Sequence, residues 1–104
     1  MALDVLNLMP GKKIIVTPGM IELGSIEDEE NTIFGENIAD VCDEVILIGD
    51  KQTKAIQKGL KNKKYDEKHI YILEDVIDAF DLIKKLKAKD TYVLLENDLP
   101  DVFK

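Results

Sequence analysis

Four apolar runs of strand length alternate along this chain with segments in which apolar residues return every three or four positions. The runs predict strands over Lys13–Thr17, Val45–Ile48, His69–Leu73 and Thr91–Leu95. Ile14-Ile15-Val16 and Val45-Ile46-Leu47-Ile48 have no polar break. That pattern belongs to parallel strands covered on both faces rather than to strands with one wet side. Between them lie amphipathic helices. One begins near Ser25, with Asp28 in the capping-box position and Ile26, Ile33, Phe34, Ile38 and Val41 as its apolar stripe. Glu27, Asp28, Glu29 and Glu30 fill its first turn, where the helix dipole favours negative charge. Gly35 interrupts it and marks a close contact, expected with the sheet. A second helix runs from about Gln52 to Asn62, with Ala55, Ile56 and Leu60 inward. A third is capped by Asp75, with Asp78 in the box position, and buries Val76, Ala79, Phe80, Ile83 and Leu86. Residues 2–8 read as the last turns of a further helix, stopped by Met9-Pro10-Gly11. With no cap before Ala2, this segment reads either as one whose natural beginning lies upstream of Met1, as expected in a fragment of a longer protein, or as a natural, frayed terminus.

The order is α, then βαβαβαβ. Alternation of this kind implies parallel pairing and right-handed crossovers. The simplest arrangement is a Rossmann-like α/β three-layer sandwich: a mainly parallel sheet of about four strands, in the order 3-2-1-4, flanked by helices. In such sheets ligands bind beyond the carboxyl ends of the strands, where the winding reverses. Here the reversal falls between the first and fourth strands. Topology therefore brings Thr17-Pro18-Gly19-Met20 beside Glu96-Asn97-Asp98.

Length and charge narrow the picture. A chain of 104 residues is expected to form one domain, and 45% hydrophobic with 34% charged residues is the composition of a folded globule. The net charge of −7 disfavours a nucleic-acid partner. Every cation is a lysine, so the bidentate clamps that arginine makes with phosphate are missing. One cysteine and one histidine cannot build a structural zinc site or an intrachain disulfide, and no metal ligands are assigned. No apolar run is long enough to span a bilayer, and the N-terminus has no signal-peptide layout, so a cytoplasmic location is expected.

The exit of the first strand carries what chemistry there is. Thr17, Gly19 and the backbone amides of this turn can approach an anion or a polar substrate, or simply end a strand. No phosphate-binding glycine fingerprint is present. Glu22, between Ile21 and Leu23, can bind an ammonium group or a metal, or stay solvated. Glu96, Asn97 and Asp98 can hold a cation or form a solvated turn. His69 reads as a solvated surface residue, and Cys42 as a packed, inert thiol. A phospho-acceptor receiver domain is disfavoured, because Thr17-Pro18 stands where an acidic pair is needed.

The segments Ala2–Leu6, Pro10–Gly24, Phe34-Gly35, Ile38-Ala39 and Cys42–Gly49 resemble the C-terminal domain of Mur ligases. They are most similar to members that add D-alanyl-D-alanine. In that group the first strand commonly leads into Gly-Asp-Met-x-Glu-Leu-Gly, and here it leads into Pro18-Gly19-Met20-Ile21-Glu22-Leu23-Gly24. The resemblance is specific up to Gly49 and looser beyond it. It implies part of a bacterial, peptidoglycan-synthesising amide ligase, itself dependent on ATP and magnesium. A central ATPase domain would hold the phosphates and most metal ligands. This domain would close over the nucleotide and help bind a D-amino acid or dipeptide for joining to a UDP-muramoyl-peptide. Met20, Glu22 and Gly24 carry over as candidate site residues, and no catalytic residue does. Two departures stand out. Gly19 replaces the family's aspartate, and Glu96–Asp101 replaces a basic, glycine-bearing loop. The competing class is a free-standing, non-enzymatic α/β binding module.

Overall fold

The computed structural model describes residues 3–20 and 24–96. Helix α1 (Leu3–Asn7) leads into β1 (Lys12–Thr17), and a 3-10 turn (Gly24–Ile26) precedes α2 (Glu27–Val41). Then come β2 (Glu44–Ile48), α3 (Lys54–Asn62), a second 3-10 turn (Glu67–His69), β3 (Ile70–Leu73), α4 (Val76–Leu86) and β4 (Thr91–Leu95). All three strand pairings are parallel, and the sheet order is β3-β2-β1-β4. The fold is a Rossmann-like α/β arrangement with the expected order.

The unbroken apolar runs are explained by burial on two sides. Ile15, Val45, Leu47 and Leu94 face α1, α2 and α3, where they meet Leu6, Ile38, Ile56 and Leu60. Ile14, Val16, Ile46 and Ile48 face α4 and pack on Val76 and Ala79. Side chains alternate across a strand, so each run feeds both cores. The two outer strands are less covered: Ile72 of β3 and Val93 and Leu95 of β4 are exposed.

Helix α2 departs from the expected stripe. Its buried positions are Asn31, Gly35 and Ile38, followed by Cys42, while Ile26 and Ile33 are exposed. The inward face is turned toward α3, and two glycines permit it. A methyl at Gly35 would strike the backbone of Ile56, and one at Gly59 would strike the backbone of Thr32 and Glu36. Gly35 therefore marks contact with α3 rather than with the sheet. Ser25 does not cap α2; the cap position is Ile26, which makes no side-chain hydrogen bond. Asp75 does cap α4, accepting from the Ile77 N–H at 2.9 Å.

At the amino ends of the strands lies an ionic cluster that the sequence reading of His69 did not anticipate. Glu44, whose side chain is 6% exposed, accepts from His69 Nδ1 at 2.8 Å and pairs with Lys12 Nζ at 3.1 Å. The Tyr71 hydroxyl donates to it at 3.3 Å. His69 is thus half-exposed and tied to a buried carboxylate. Burial raises the Glu44 pKa, but the hydrogen bonds from His69 and Lys12 and their charges outweigh it, so the carboxyl lies below its ordinary value. Tyr65 anchors the same end by donating to the Cys42 carbonyl at 2.7 Å. Burial, then the neighbouring Asp43, push the Cys42 thiol up to about 12, which fits a packed and unreactive cysteine.

Two outcomes follow from this packing. Alanine is the better helix former by about 1 kcal/mol, yet Gly35→Ala is expected to cost about 2 kcal/mol net, because the methyl meets backbone that cannot yield cheaply. Urea unfolding checks this; a stabilised variant would mean the two helices can separate freely. A carboxyl with a depressed folded pKa adds stability above its unfolded pKa and loses it as pH falls through the folded one. Stability is therefore expected to decline below about pH 4.5, and Glu44→Gln to flatten that part of the pH–stability curve.

Candidate functional site

The carboxyl ends of β1 and β4 do lie side by side. The chain continues in register past the last ladder pair, with the Glu96 N–H donating to the Val16 carbonyl at 3.0 Å. Of the predicted residues, Thr17, Gly19, Met20, Gly24 and Glu96 can be placed. Glu22, Asn97 and Asp98 lie outside the described residues.

The turn after β1 is built inward. Thr17 is fully buried, and its Oγ1 accepts the Gly19 N–H at 3.0 Å. Gly19 has φ +87°, a region that glycine enters without steric cost. A side chain there would press on Ile56 Cδ1 and Asn31 Oδ1, at 3.3 and 3.4 Å. So glycine at this position suits both the backbone and the space.

Two polar side chains on neighbouring helical segments then fasten the loop. Asn31 of α2 is 2% exposed. Its Oδ1 accepts the Met20 N–H at 2.8 Å, and its Nδ2 donates to the Met20 carbonyl at 2.8 Å and to the Glu27 carbonyl at 3.0 Å. Gln52, just before α3, donates through Nε2 to the Pro18 carbonyl at 3.1 Å and the Ile48 carbonyl at 2.9 Å. The expected role of the turn amides is therefore revised. The Gly19 and Met20 N–H groups are committed to Thr17 and Asn31 and do not form an anion cradle. Met20 leaves the loop partly buried, and Gly24 is exposed at φ +66°, with no described residue apart from its chain neighbours within 4 Å of where a Cβ would stand.

Asn31 and Gln52 were missed because a polar residue in a helix or at its start reads as solvent-facing. The signal that would have found Asn31 is its spacing: it stands four residues before Gly35, on the face that the glycine brings into contact.

The neighbouring exit from β2 is equally tied. The Thr53 hydroxyl donates to the Gly49 carbonyl at 2.6 Å, and the Asp50 N–H donates to Glu74 Oε2 at 3.0 Å. Gly49, Asp50, Lys51, Gln52 and Glu74 line an open depression of about 530 Å³ over β2 and β3.

Glu96 differs from the rest of this edge. It is partly buried, and among the described residues its Oε2 is buried with no hydrogen-bond partner. No group of three His, Cys, Asp or Glu side chains among the described residues is placed to hold a metal ion. No helix among the described residues is long and apolar enough to cross a membrane.

Asn31→Ala is expected to destabilise the chain by about 2–3 kcal/mol, because it removes three hydrogen bonds and strands the Met20 amide and carbonyl. Hydrogen exchange at the Met20 amide should accelerate more than exchange at the strand amides. Uniform loosening, or none, would show that the side chain does not hold the loop.

No protein-family model matches this chain, and no curated protein matches it.

Proposed function

We propose that this chain is the C-terminal domain of an ATP-dependent Mur-type amide ligase of peptidoglycan precursor synthesis. In this reading it closes over a nucleotide held elsewhere and helps bind the incoming D-alanyl-D-alanine or a related amine. The observation that carries the reading is the switch point. The β3-β2-β1-β4 order sets the end of β1 beside the end of β4, and the loop leaving β1 there bears the segment that resembles the family's motif. Thr17, Gly19, Gly24 and the buried apolar runs supply its frame. Met20, Glu22, Glu96, Asn97 and Asp98 supply its candidate contacts, with Glu96 on the β4 side.

The division of labour follows from the backbone. Because the Gly19 and Met20 amides are used internally, the domain would meet nucleotide and amine with side chains. Phosphate binding, magnesium binding and acyl-phosphate chemistry would fall to a central ATPase domain, and the UDP-muramoyl-peptide would complete the assembly in the cytoplasm. Such a domain would be inactive alone, since a closing domain provides only part of the contacts.

The committed turn amides also favour a second reading, a free-standing and non-enzymatic α/β binding module. The two separate in one titration. Under the ligase reading, D-Ala-D-Ala or ATP with magnesium shifts the amide resonances of residues 17–24 and 96–98 together, with weak affinity. Shifts confined to one segment, scattered over the surface, or absent would favour the binding module.

A further inference from the structure

We infer that the cleft between α1, α2 and the end of β4 is a binding site for a small ligand that carries a primary ammonium group on an apolar body. Along β4, Leu94 packs in the core beneath α1, α2 and α3. Glu96, two residues on, continues that face. Its side chain enters a cleft of about 530 Å³ walled by Leu3 and Asn7 of α1 and by Phe34, Asn37 and Val41 of α2, with Asp40 also on its lining.

Three observations fix the chemistry of the occupant. First, Glu96 Oε2 is buried without a partner among the described residues. A carboxylate oxygen removed from water is unfavourable until it accepts a hydrogen bond, and a charged N–H is the strongest donor available. Second, among the described residues no lysine lines the cleft, and the two acids on its lining, Asp40 and Glu96, both repel an anion. Asp40 is engaged by Lys63 Nζ at 3.3 Å and half-exposed, so Glu96 is the acid left to be neutralised. Third, Leu3, Phe34 and Val41 offer apolar surface for a ligand body, and the volume suits a small molecule. A hard divalent ion would need several oxygen ligands arranged around it, and no such group of three occurs among the described residues. The ionic cluster around Glu44 makes the contrast clear: there the buried carboxylate is already met by Lys12 and His69.

The inference does not depend on the ligase reading; a chain that binds ammonium here and never touches nucleotide satisfies it. The test is a two-dimensional NMR titration of the whole chain at pH 7 with benzylamine, set against benzyl alcohol as the neutral isostere and magnesium chloride as the metal. Benzylamine at millimolar concentration is expected to shift the amides of Phe34, Asn37, Val41 and Glu96 as one set, and the alcohol is not. Glu96→Gln, which keeps the shape, is expected to weaken amine binding by about tenfold. Equal responses to amine and alcohol, unchanged affinity in Glu96→Gln, or the same shifts produced by magnesium at lower concentration would each overturn the assignment.

Discussion

The close approach of α2 and α3 at Gly35 and Gly59 is the contact on which the carboxyl end of this sheet depends. Neither helix can accept a methyl group at its crossing point without striking the backbone of the other. That spacing aims the 31-35-38-42 face of α2 inward. It puts Asn31 within reach of the Met20 backbone and Ile56 against Gly19. The turn after β1 is thus shaped by helix packing as much as by its own residues.

The strand order, the parallel pairing and the alternation of the two cores were legible because each rests on a strong local pattern. A run such as Ile14-Ile15-Val16 has few places to go other than the middle of a covered sheet. The expected face of α2 was less accurate for an equally physical reason. Counting apolar residues selects Ile26 and Ile33, but a helix that packs through glycine hides its smallest residues and exposes some of its largest. Ser25 likewise has a capping side chain by type, yet the 3-10 turn at Gly24–Ile26 starts the helix without it. Asp75, preceded by a plain strand end, caps as its sequence position implies.

The candidate site was legible as a location and less so as chemistry. Topology joins the ends of β1 and β4 whatever residues stand there. Whether an amide is free for a ligand is a different question, settled by long-range partners such as Asn31 and Gln52 that no short motif contains. For Glu96, whose type suggested a cation or a solvated turn, the location is the finer information: two residues beyond Leu94, it lies on the lining of the cleft beside α1 and α2.

The internal fastening of residues 17–20 bears on how the side chains at this end can change over time. A loop that uses main-chain amides to hold a ligand ties its specificity to its own conformation, so altering one endangers the other. Here the Gly19 and Met20 amides and the Pro18 and Met20 carbonyls are already employed in holding the loop. Any ligand that reached Met20 would therefore meet backbone with little ordering left to lose. Side chains that project from this frame can be exchanged one at a time while the frame stays in place.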